Sequence, residues 1–579
     1  MIGPQTPHAQ ELHATKYRDT YETFDDYCIR YARTVSESEG HFRLLLSALR
    51  DQRILPAGRQ QLAVGRPYDL TALNCYVGGQ IPDDSAGIME ELKRSMLTLR
   101  TGGGCGWDFS TIRPYGDPIR GLGLKAYATG PVSFMGCWDA MCRTVLSAGH
   151  RRGAMMGVLR VDHPDIMRFI NAKADQTSLT TFNISVAVTD DFMEALEDDG
   201  LYNLSFGGTR YETARAVDVW SRIMERNWDW GEPGILFIDR INRLNPLSYC
   251  EQIYATNPCG EQPLPPFGAC LLGSLNLVKY LIPTWGESDL REVRFTLDFD
   301  LLGSDVDTAV RAFDNVLDRT HYPLAEQKHE SEQKRRMGVG VTGVANALET
   351  MGFSYGSDSY IALQDEVLDE IRGQAVRTSC ALAQEKGSFP AYSQEEYLST
   401  YHTKHLPEDL RGEITRKGIR NGTLLSIAPT GTISMCADNV SAGIEPPYAL
   451  RSRRLVHMPQ GQVEVEVEDF ALREYNVKGR TAQQVSASDH IRVLCAAQRF
   501  VDSAVSKTCN VDGQTPEGEG TVGFDDFKGL YSQAYKGGAK GCTTFNINGK
   551  RFGIIREVED EQAVSCEIDP LTGAKSCEV

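Results

Sequence analysis

No segment of the 579 residues is apolar over the length a membrane-spanning helix needs, and the opening run Met1-Ile2-Gly3-Pro4-Gln5-Thr6-Pro7-His8 lacks the apolar core of a secretory signal. The expectation is a soluble, cytoplasmic chain with no membrane partner. Basic charge is scarce: 60 Lys and Arg stand against 78 Asp and Glu, for a formal charge of -18. A surface that grips long nucleic acid by neutralising phosphates needs the opposite balance, which argues against such a partner. Small anions remain open as ligands, because backbone N–H groups and a few arginines suffice to hold them. The 11 histidines form neither HExxH nor a paired ligand spacing, and no CxxC occurs. Zincin sites, zinc ribbons and thioredoxin-like sites are not expected, nor is any protein-bound metal centre. His163, in Asp162-His163-Pro164-Asp165, reads as a turn residue. Fifteen cysteines, odd in number and irregularly spaced, do not make a secreted disulfide framework. In a reducing compartment some are structural and others are available for chemistry. There is no internal repeat and no low-complexity tract.

With 41% hydrophobic and 24% charged residues, the chain can bury a large core as one catalytic unit or as two or three domains. Ile88, Leu92, Met96 and Leu99 share a helical face, with Asp84 and Ser85 available as caps. Phe182, Ile184, Val186 and Val188 alternate with Asn183, Ser185 and Ala187, the pattern of a half-buried strand. Ile235-Leu236-Phe237-Ile238 is a continuous run suited to a fully buried one. Asp358 can open a helix that turns Leu363, Val367 and Ile371 inward, with Gly387 as its stop. This alternation predicts an α/β architecture, although periodicity does not separate an open sheet from a barrel. From Arg556 to Val579 the chain is acidic, poor in large apolar residues and broken by Asp569-Pro570 and Gly573. That composition predicts a mobile tail, and it carries Cys566 and Cys577.

Gly338-Val339-Gly340-Val341-Thr342-Gly343 fits the GxGxxG dinucleotide fingerprint, but Glu332-Gln333-Lys334-Arg335-Arg336 before it makes a poor buried strand. Close backbone packing explains these glycines better than a nicotinamide site. Thr101-Gly102-Gly103-Gly104-Cys105-Gly106 and Ser147-Ala148-Gly149-His150-Arg151-Arg152-Gly153 are Gly-rich loops that can be phosphate cradles or ordinary turns; no GK[ST] follows either. Pro429-Thr430-Gly431-Thr432-Ile433-Ser434 comes directly after the apolar strand Leu424-Leu425-Ser426-Ile427 and Ala428. Three hydroxyls and free N–H groups at a strand end resemble a phosphate cradle.

Asn257-Pro258-Cys259-Gly260-Glu261 sets an amide, a thiol and a carboxylate at alternate positions, so an extended loop would aim all three the same way. A tight Pro/Gly loop around a buried cysteine is the plain alternative. The segment resembles the active-site loop of the ribonucleotide reductase family, Asn-x-Cys-x-Glu. Cys75, in Leu73-Asn74-Cys75-Tyr76-Val77, and Cys270, in Gly268-Ala269-Cys270-Leu271-Leu272-Gly273-Ser274-Leu275-Asn276-Leu277, resemble that family's reducing pair. The motifs run in family order over most of the chain.

The resemblance implies a ten-stranded α/β barrel of two five-stranded halves with a central finger loop. It divides the chain into a helical N-terminal region (1–70), the barrel (71–555) and a flexible tail (556–579). In the implied chemistry a thiyl radical on Cys259 takes the ribose 3′-hydrogen and Glu261 takes the 3′-hydroxyl proton. Cys75 protonates the departing 2′-hydroxyl, after which Cys75 and Cys270 give two electrons and become a disulfide. Asn257 holds the substrate or orients Glu261, and Pro429, Thr430, Gly431, Thr432, Ile433 and Ser434 receive the substrate phosphates. Asp84, Ser85, Arg113 and Ile119 fall where the family binds a deoxynucleotide or ATP specificity effector, and Arg152 matches the element relaying effector identity to the substrate base. That effector site forms across a subunit interface, which implies a homodimer. Cys566 and Cys577 resemble a tail pair that re-reduces the active-site disulfide and is itself served by a thioredoxin-type reductant.

Reductases that draw their radical from a separate metal subunit use a Tyr-Tyr pair in the segment corresponding to Gly541-Cys542-Thr543-Thr544-Phe545-Asn546, where no tyrosine stands. Thr544 and Phe545 have no readily oxidised phenol. Together with Gly149 to Ala154, Val158 to Asp165 and Lys540 to Thr544, this resembles the adenosylcobalamin-dependent branch, in which the cofactor generates the radical beside Cys259. No ATP cone is recognisable before Cys75, so specificity control is expected and overall ATP/dATP switching is not. Substrates are ribonucleoside diphosphates or triphosphates, a dimer of this type leaning to diphosphates. Three rivals make other predictions: a chain needing a metal radical subunit, a non-catalytic nucleotide-binding regulator, and a nicotinamide oxidoreductase using Gly338, Gly340 and Gly343.

Overall fold

Short apolar runs become the staves of a single closed sheet. A computed structural model describes residues 2–119, 126–145, 153–174, 177–285, 293–458, 461–515 and 520–550, with the backbone of three short strands at 555–557, 566–568 and 575–577. The first five staves are β1 (Cys75–Val77), β2 (Gly104–Asp108), β3 (Met155–Arg160), β4 (Phe182–Val188) and β5 (Gly234–Phe237), each parallel to the one before. Parallel neighbours need crossover connections, and helices such as Ser85–Arg100, Pro131–Thr144 and Ala216–Trp230 supply them.

The second set consists of β6 (Ala269–Asn276), β7 (Met337–Thr342), the segment 424–427, β8 (Thr508–Val511) and β9 (Gly541–Asn546). β6 runs parallel to β7 and β8 to β9, while parallel bridges join Val339 to Leu425 and Ile427 to Val505. The two sets meet antiparallel at both edges, Cys270 facing Cys75 between β6 and β1, and Gly541 facing Leu236 between β9 and β5. Following the pairings around returns to β1. The sheet is therefore a barrel of two parallel five-stave halves, as the resemblance implied.

The least regular stave, 424–427, is fastened on both sides. Val339 N donates to Leu424 O at 2.8 Å and Ser506 N to Ile427 O at 2.8 Å. The Asp502 carboxylate accepts from Leu424 N and Leu425 N at 2.7 and 2.8 Å, and the buried Lys540 Nζ donates to the carbonyls of Asp502 and Ser503, both at 2.6 Å. A Cβ on Gly340 would stand 2.3 Å from Ser426 O. That glycine lets β7 approach 424–427, so the GxGxxG stretch serves strand packing.

Closure changes two patterns expected from the sequence. β4 is buried at every position except Asn183, because helices cover its outer face and the central loop its inner one. Helix Ser85–Arg100 starts at the Asp84 cap, but Glu91 and Ser95 are buried while Leu92 and Met96 are only half-buried. Glu91 accepts from Gly79 N at 2.7 Å and Trp107 Nε1 at 3.3 Å, and Ser95 Oγ accepts from Trp138 Nε1 at 2.8 Å. Satisfied hydrogen bonds thus turn polar residues inward. Helix Asp358–Lys386 and strand β5 form as expected.

Before the barrel, helices Pro7–Tyr17, Phe24–Val35 and Glu39–Arg50 are capped by Thr6, Thr23 and Ser38 and bury Leu12, Tyr31 and Leu45 in a core continuous with the barrel's outer layer. Among the described residues no helix is long and apolar enough to cross a membrane. Of the expected tail, the described parts are Ile555–Glu557, paired with Arg451–Met458, and the strands Cys566–Ile568 and Lys575–Cys577, paired with each other. The rest of the tail lies outside the described residues, as does Arg152.

Candidate active site

The two-residue strands Ala255–Thr256 and Pro263–Leu264 pair and leave residues 257–262 as a loop inside the barrel. A Cβ on Gly106 of β2 would stand 1.9 Å from Thr256 O, so glycine is what lets the loop lie against the wall. Both halves of the barrel hold the tip. From β4, Asn183 Nδ2 donates to Pro258 O at 2.8 Å; from the other half, Ser426 Oγ and Ala504 N donate to Glu261 O at 2.9 and 3.0 Å. Asn257 closes the loop internally, its N donating to Gln262 O and its Oδ1 accepting from Gln262 N at 2.9 Å.

The tip is a turn, not an extended stretch, so its three polar side chains do not share one direction. Asn257 and Glu261 are buried, whereas Cys259 is exposed. Asn257 Nδ2 lies 3.1 Å from Cys75 Sγ, and that sulfur lies 3.8 Å from Glu261 Oε1. Cys270 faces Cys75 in register. Antiparallel neighbours have Cα atoms about 4.5 to 5.5 Å apart, within the span of a disulfide. Asn257, Glu261, Cys75 and Cys270, scattered in sequence, are thereby gathered in one place.

Burial sets their protonation. It pushes both thiols well above the ordinary cysteine range, the neighbouring Glu261 adding to the effect on Cys75. Both are held as protonated donors. Burial also pushes Glu261 up to about 7, partly opposed by the Asn257 amide. A carboxyl poised there exchanges protons near neutrality, which suits a general base. Glu261 Oε2 and Gln262 Nε2 are buried with no hydrogen-bond partner among the described residues.

Beside the thiols, Ala428 packs against the apolar cluster containing Cys75, Cys270 and Leu264 and leads into the Pro429-to-Ser434 turn. Thr430 has φ +53° and precedes helix Gly431–Cys436. The candidate phosphate turn therefore neighbours the thiol pair. Asp84, Ser85 and Arg113 stand together elsewhere: Asp84 caps the helix that Ser85 begins, and Arg113 grips the adjacent Asp83 at 2.8 Å. Ile119 N donates to Ala126 O at 2.8 Å on the segment after Arg113. Cys566 and Cys577 are opposite residues of the tail strand pair.

Two contributors leave no mark in the sequence: Asn183 reads as the polar half of an alternating strand and Ser426 as a lone hydroxyl in an apolar run.

The family description "Ribonucleotide reductase, barrel domain" matches residues 73–545. The chain is 34% identical to the vitamin B12-dependent ribonucleoside-diphosphate reductase of Thermoplasma acidophilum, with 93% of this chain and 68% of that protein covered. It is 33% identical to the protein of the same name from Mycobacterium tuberculosis, with 92% and 76% covered. Identity to the ribonucleoside-diphosphate reductase subunit alpha of Helicobacter pylori is 24%, with 85% and 72% covered.

Proposed function

The chain belongs to the ribonucleotide reductase family, and from that premise we propose that it reduces ribonucleoside diphosphates to 2′-deoxyribonucleoside diphosphates with adenosylcobalamin as cofactor. The observation that carries the reading is the convergence of Asn257, Glu261, Cys75 and Cys270 beneath the tip that bears Cys259.

The wall beside that tip is made of small residues on β4 and the strands next to it. Asn183 and Ser185 lie on one face of β4; Gly234 is in register with Ser185, and a Cβ on it would stand 3.3 Å from Thr543 Oγ1. Asn183, Ser185 and Thr543, with Gly234 between them, line the wall that Asn183 ties to Pro258, the residue before Cys259, and they are the residues that would hold the cofactor. When bound, adenosylcobalamin supplies a radical through homolysis of its cobalt–carbon bond.

With the radical on its sulfur, Cys259 takes the ribose 3′-hydrogen and later returns it. Glu261 accepts the 3′-hydroxyl proton, Cys75 protonates the 2′-hydroxyl, and water leaves. Cys75 and Cys270 together yield two electrons and two protons and close as a disulfide, balancing one deoxyribonucleotide and one water. Asn257 orients Cys75 by its 3.1 Å contact. The 429–434 turn receives the diphosphate. Asp84, Ser85, Arg113 and Ile119 bind a nucleoside triphosphate effector across a homodimer interface, and Arg152 relays its identity.

Cys566 and Cys577 act as the shuttle to a thioredoxin-type reductant, supported by their facing positions across the tail strands. Working thiols of this kind belong in a reducing compartment, the cytoplasm. The division into 1–70, 71–555 and 556–579 completes the reading. Serine at both tail positions should stop turnover with thioredoxin yet leave a single turnover; undiminished multiple turnover would sink the shuttle.

The test of the whole is CDP reduction by the purified chain with adenosylcobalamin and dithiothreitol, no second protein added. Formation of dCDP is expected. No product with any effector overturns the cofactor assignment, and product only on addition of a metal-bearing partner would replace it.

A further inference from the structure

The stretch that mimics a dinucleotide fingerprint has a use beyond closing the barrel. Its Thr342, fully buried at the end of β7, donates its single hydroxyl proton to Ser441 O at 3.0 Å. Thr342 Oγ1 also lies 2.9 Å from Thr430 Oγ1. With its own proton spent, Thr342 can only accept there, so Thr430 must be the donor. Thr430 Oγ1 in turn accepts from Gly443 N at 2.8 Å. The 441–443 segment is held by the same stretch: Gly343 N donates to Ser441 O at 2.7 Å, and Asn346 Oδ1 accepts from Ser441 N at 2.6 Å. Asn346 is itself fixed by the Asp469 carboxylate at 2.9 and 3.0 Å.

This proton inventory divides the hydroxyls of the 429–434 turn. Thr430 points its hydroxyl into the protein and sits in the left-handed region, at φ +53°, which a β-branched residue occupies only when its surroundings impose it. Ser434, also buried, donates its hydroxyl to Gly431 O at 3.1 Å. Thr432 is half-exposed, and no hydrogen bond to its hydroxyl occurs among the described residues. We propose that Thr342 is a positioning residue for the substrate diphosphate: it locks Thr430 in the left-handed turn, leaving Thr432 as the one hydroxyl of that turn that meets phosphate. The proposal rests on the assignment of the turn to substrate phosphate and narrows it from three hydroxyls to one.

The test compares two competitive inhibitors of the holoenzyme, dCDP and deoxycytidine, which share base and sugar and differ only in the diphosphate. In Thr342→Val, shape is kept and the hydroxyl lost; loss of a buried hydrogen-bond partner predicts dCDP inhibition weakened roughly ten- to a hundredfold, with deoxycytidine unchanged. The KM for CDP should rise by a similar factor while kcat changes little, and Thr342→Ser, which restores the hydroxyl, should recover the wild-type values. Thr432→Val should weaken dCDP alone. If Thr432→Val weakens dCDP and Thr342→Val does not, the brace is wrong and the phosphate turn stands. If Thr432→Val leaves dCDP inhibition intact, Thr432 is not the hydroxyl that meets phosphate and the proposal fails; if neither variant changes dCDP inhibition, the phosphate assignment of the turn fails as well. Equal weakening of both inhibitors in Thr342→Val, or no recovery in Thr342→Ser, would mean a merely structural role and overturn the proposal.

Discussion

The barrel interior and the corner around Asp83, Asp84 and Arg113 both collect charged and polar residues, yet they treat water in opposite ways. Inside, Asn257, Glu261, Cys75 and Cys270 are almost wholly buried, and burial moves the proton affinity of the two thiols and the carboxyl upward. At the corner, the Arg113–Asp83 side chains remain 28% and 29% exposed, and Asp84 and Ser85 are exposed. Groups that must pass protons or electrons gain from leaving water, because their proton affinities can then be set by the fold. Groups that only hold a charged ligand can stay wet and still bind through hydrogen bonds and charge. The difference predicts that interior substitutions strike the rate, whereas corner substitutions strike affinity for the proposed effector.

The harshest break of the interior is Cys259→Ser, which removes the one thiol at the tip of the loop; deoxyribonucleotide formation should fall to background in a CDP assay. Glu261→Gln comes next. Loss of a general base lowers kcat by about 10²- to 10⁴-fold. The pH profile carries a second signature. Burial raises Glu261 to about 7, and a base works only when deprotonated, so kcat should climb as pH rises through that value. Glu261→Gln should flatten that limb. A wild-type limb near the ordinary carboxylate range would show that the carboxyl is solvated during turnover.

The ingredients of this interior were legible in the sequence because they are short and local: Asn257, Cys259 and Glu261 lie within five residues, and Cys75 and Cys270 each sit in an apolar strand. The barrel became legible through the family resemblance, since periodicity reads single strands but not their closure. The residues that pin the loop stayed hidden, because Asn183 and Ser426 act through backbone carbonyls of Pro258 and Glu261 that are distant in sequence. A hydrogen bond to a carbonyl leaves no pattern in residue types. The buried face of helix Ser85–Arg100 was legible in part: Ile88 and Leu99 are buried and Leu92 packs against the core, while Glu91 and Ser95 also turn inward for indole and amide donors on other elements.

Asn183→Ala sharpens the contrast at intermediate size. It removes the hydrogen bond to Pro258 O, the residue before Cys259, without touching any group that exchanges a proton. A single hydrogen bond is worth roughly 0.5 to 1.5 kcal/mol, so kcat at saturating adenosylcobalamin, which sets aside the proposed cofactor contact of Asn183, should drop by up to about tenfold. Alkylation of Cys259 by iodoacetamide should also change rate, since the tip would be held from one half of the barrel only. An unchanged kcat with unchanged alkylation would show that Ser426 and Ala504 suffice.

The smallest effect belongs to Asp84, where one side chain has two jobs that can be separated. Its carboxylate accepts from Gly87 N at 2.9 Å as the cap of helix Ser85–Arg100, and it stands at the proposed effector corner. Asn caps a helix about as well as Asp, whereas Ala does not and costs about 1 kcal/mol. Asp84→Asn should therefore keep the melting temperature of wild type, while Asp84→Ala lowers it. If the carboxylate also holds the effector, both variants should need several-fold more nucleoside triphosphate for half-maximal stimulation. An effector requirement that shifts in Asp84→Ala but not in Asp84→Asn would trace the effect to the cap alone, and the corner would then differ from the interior in exposure but not in purpose.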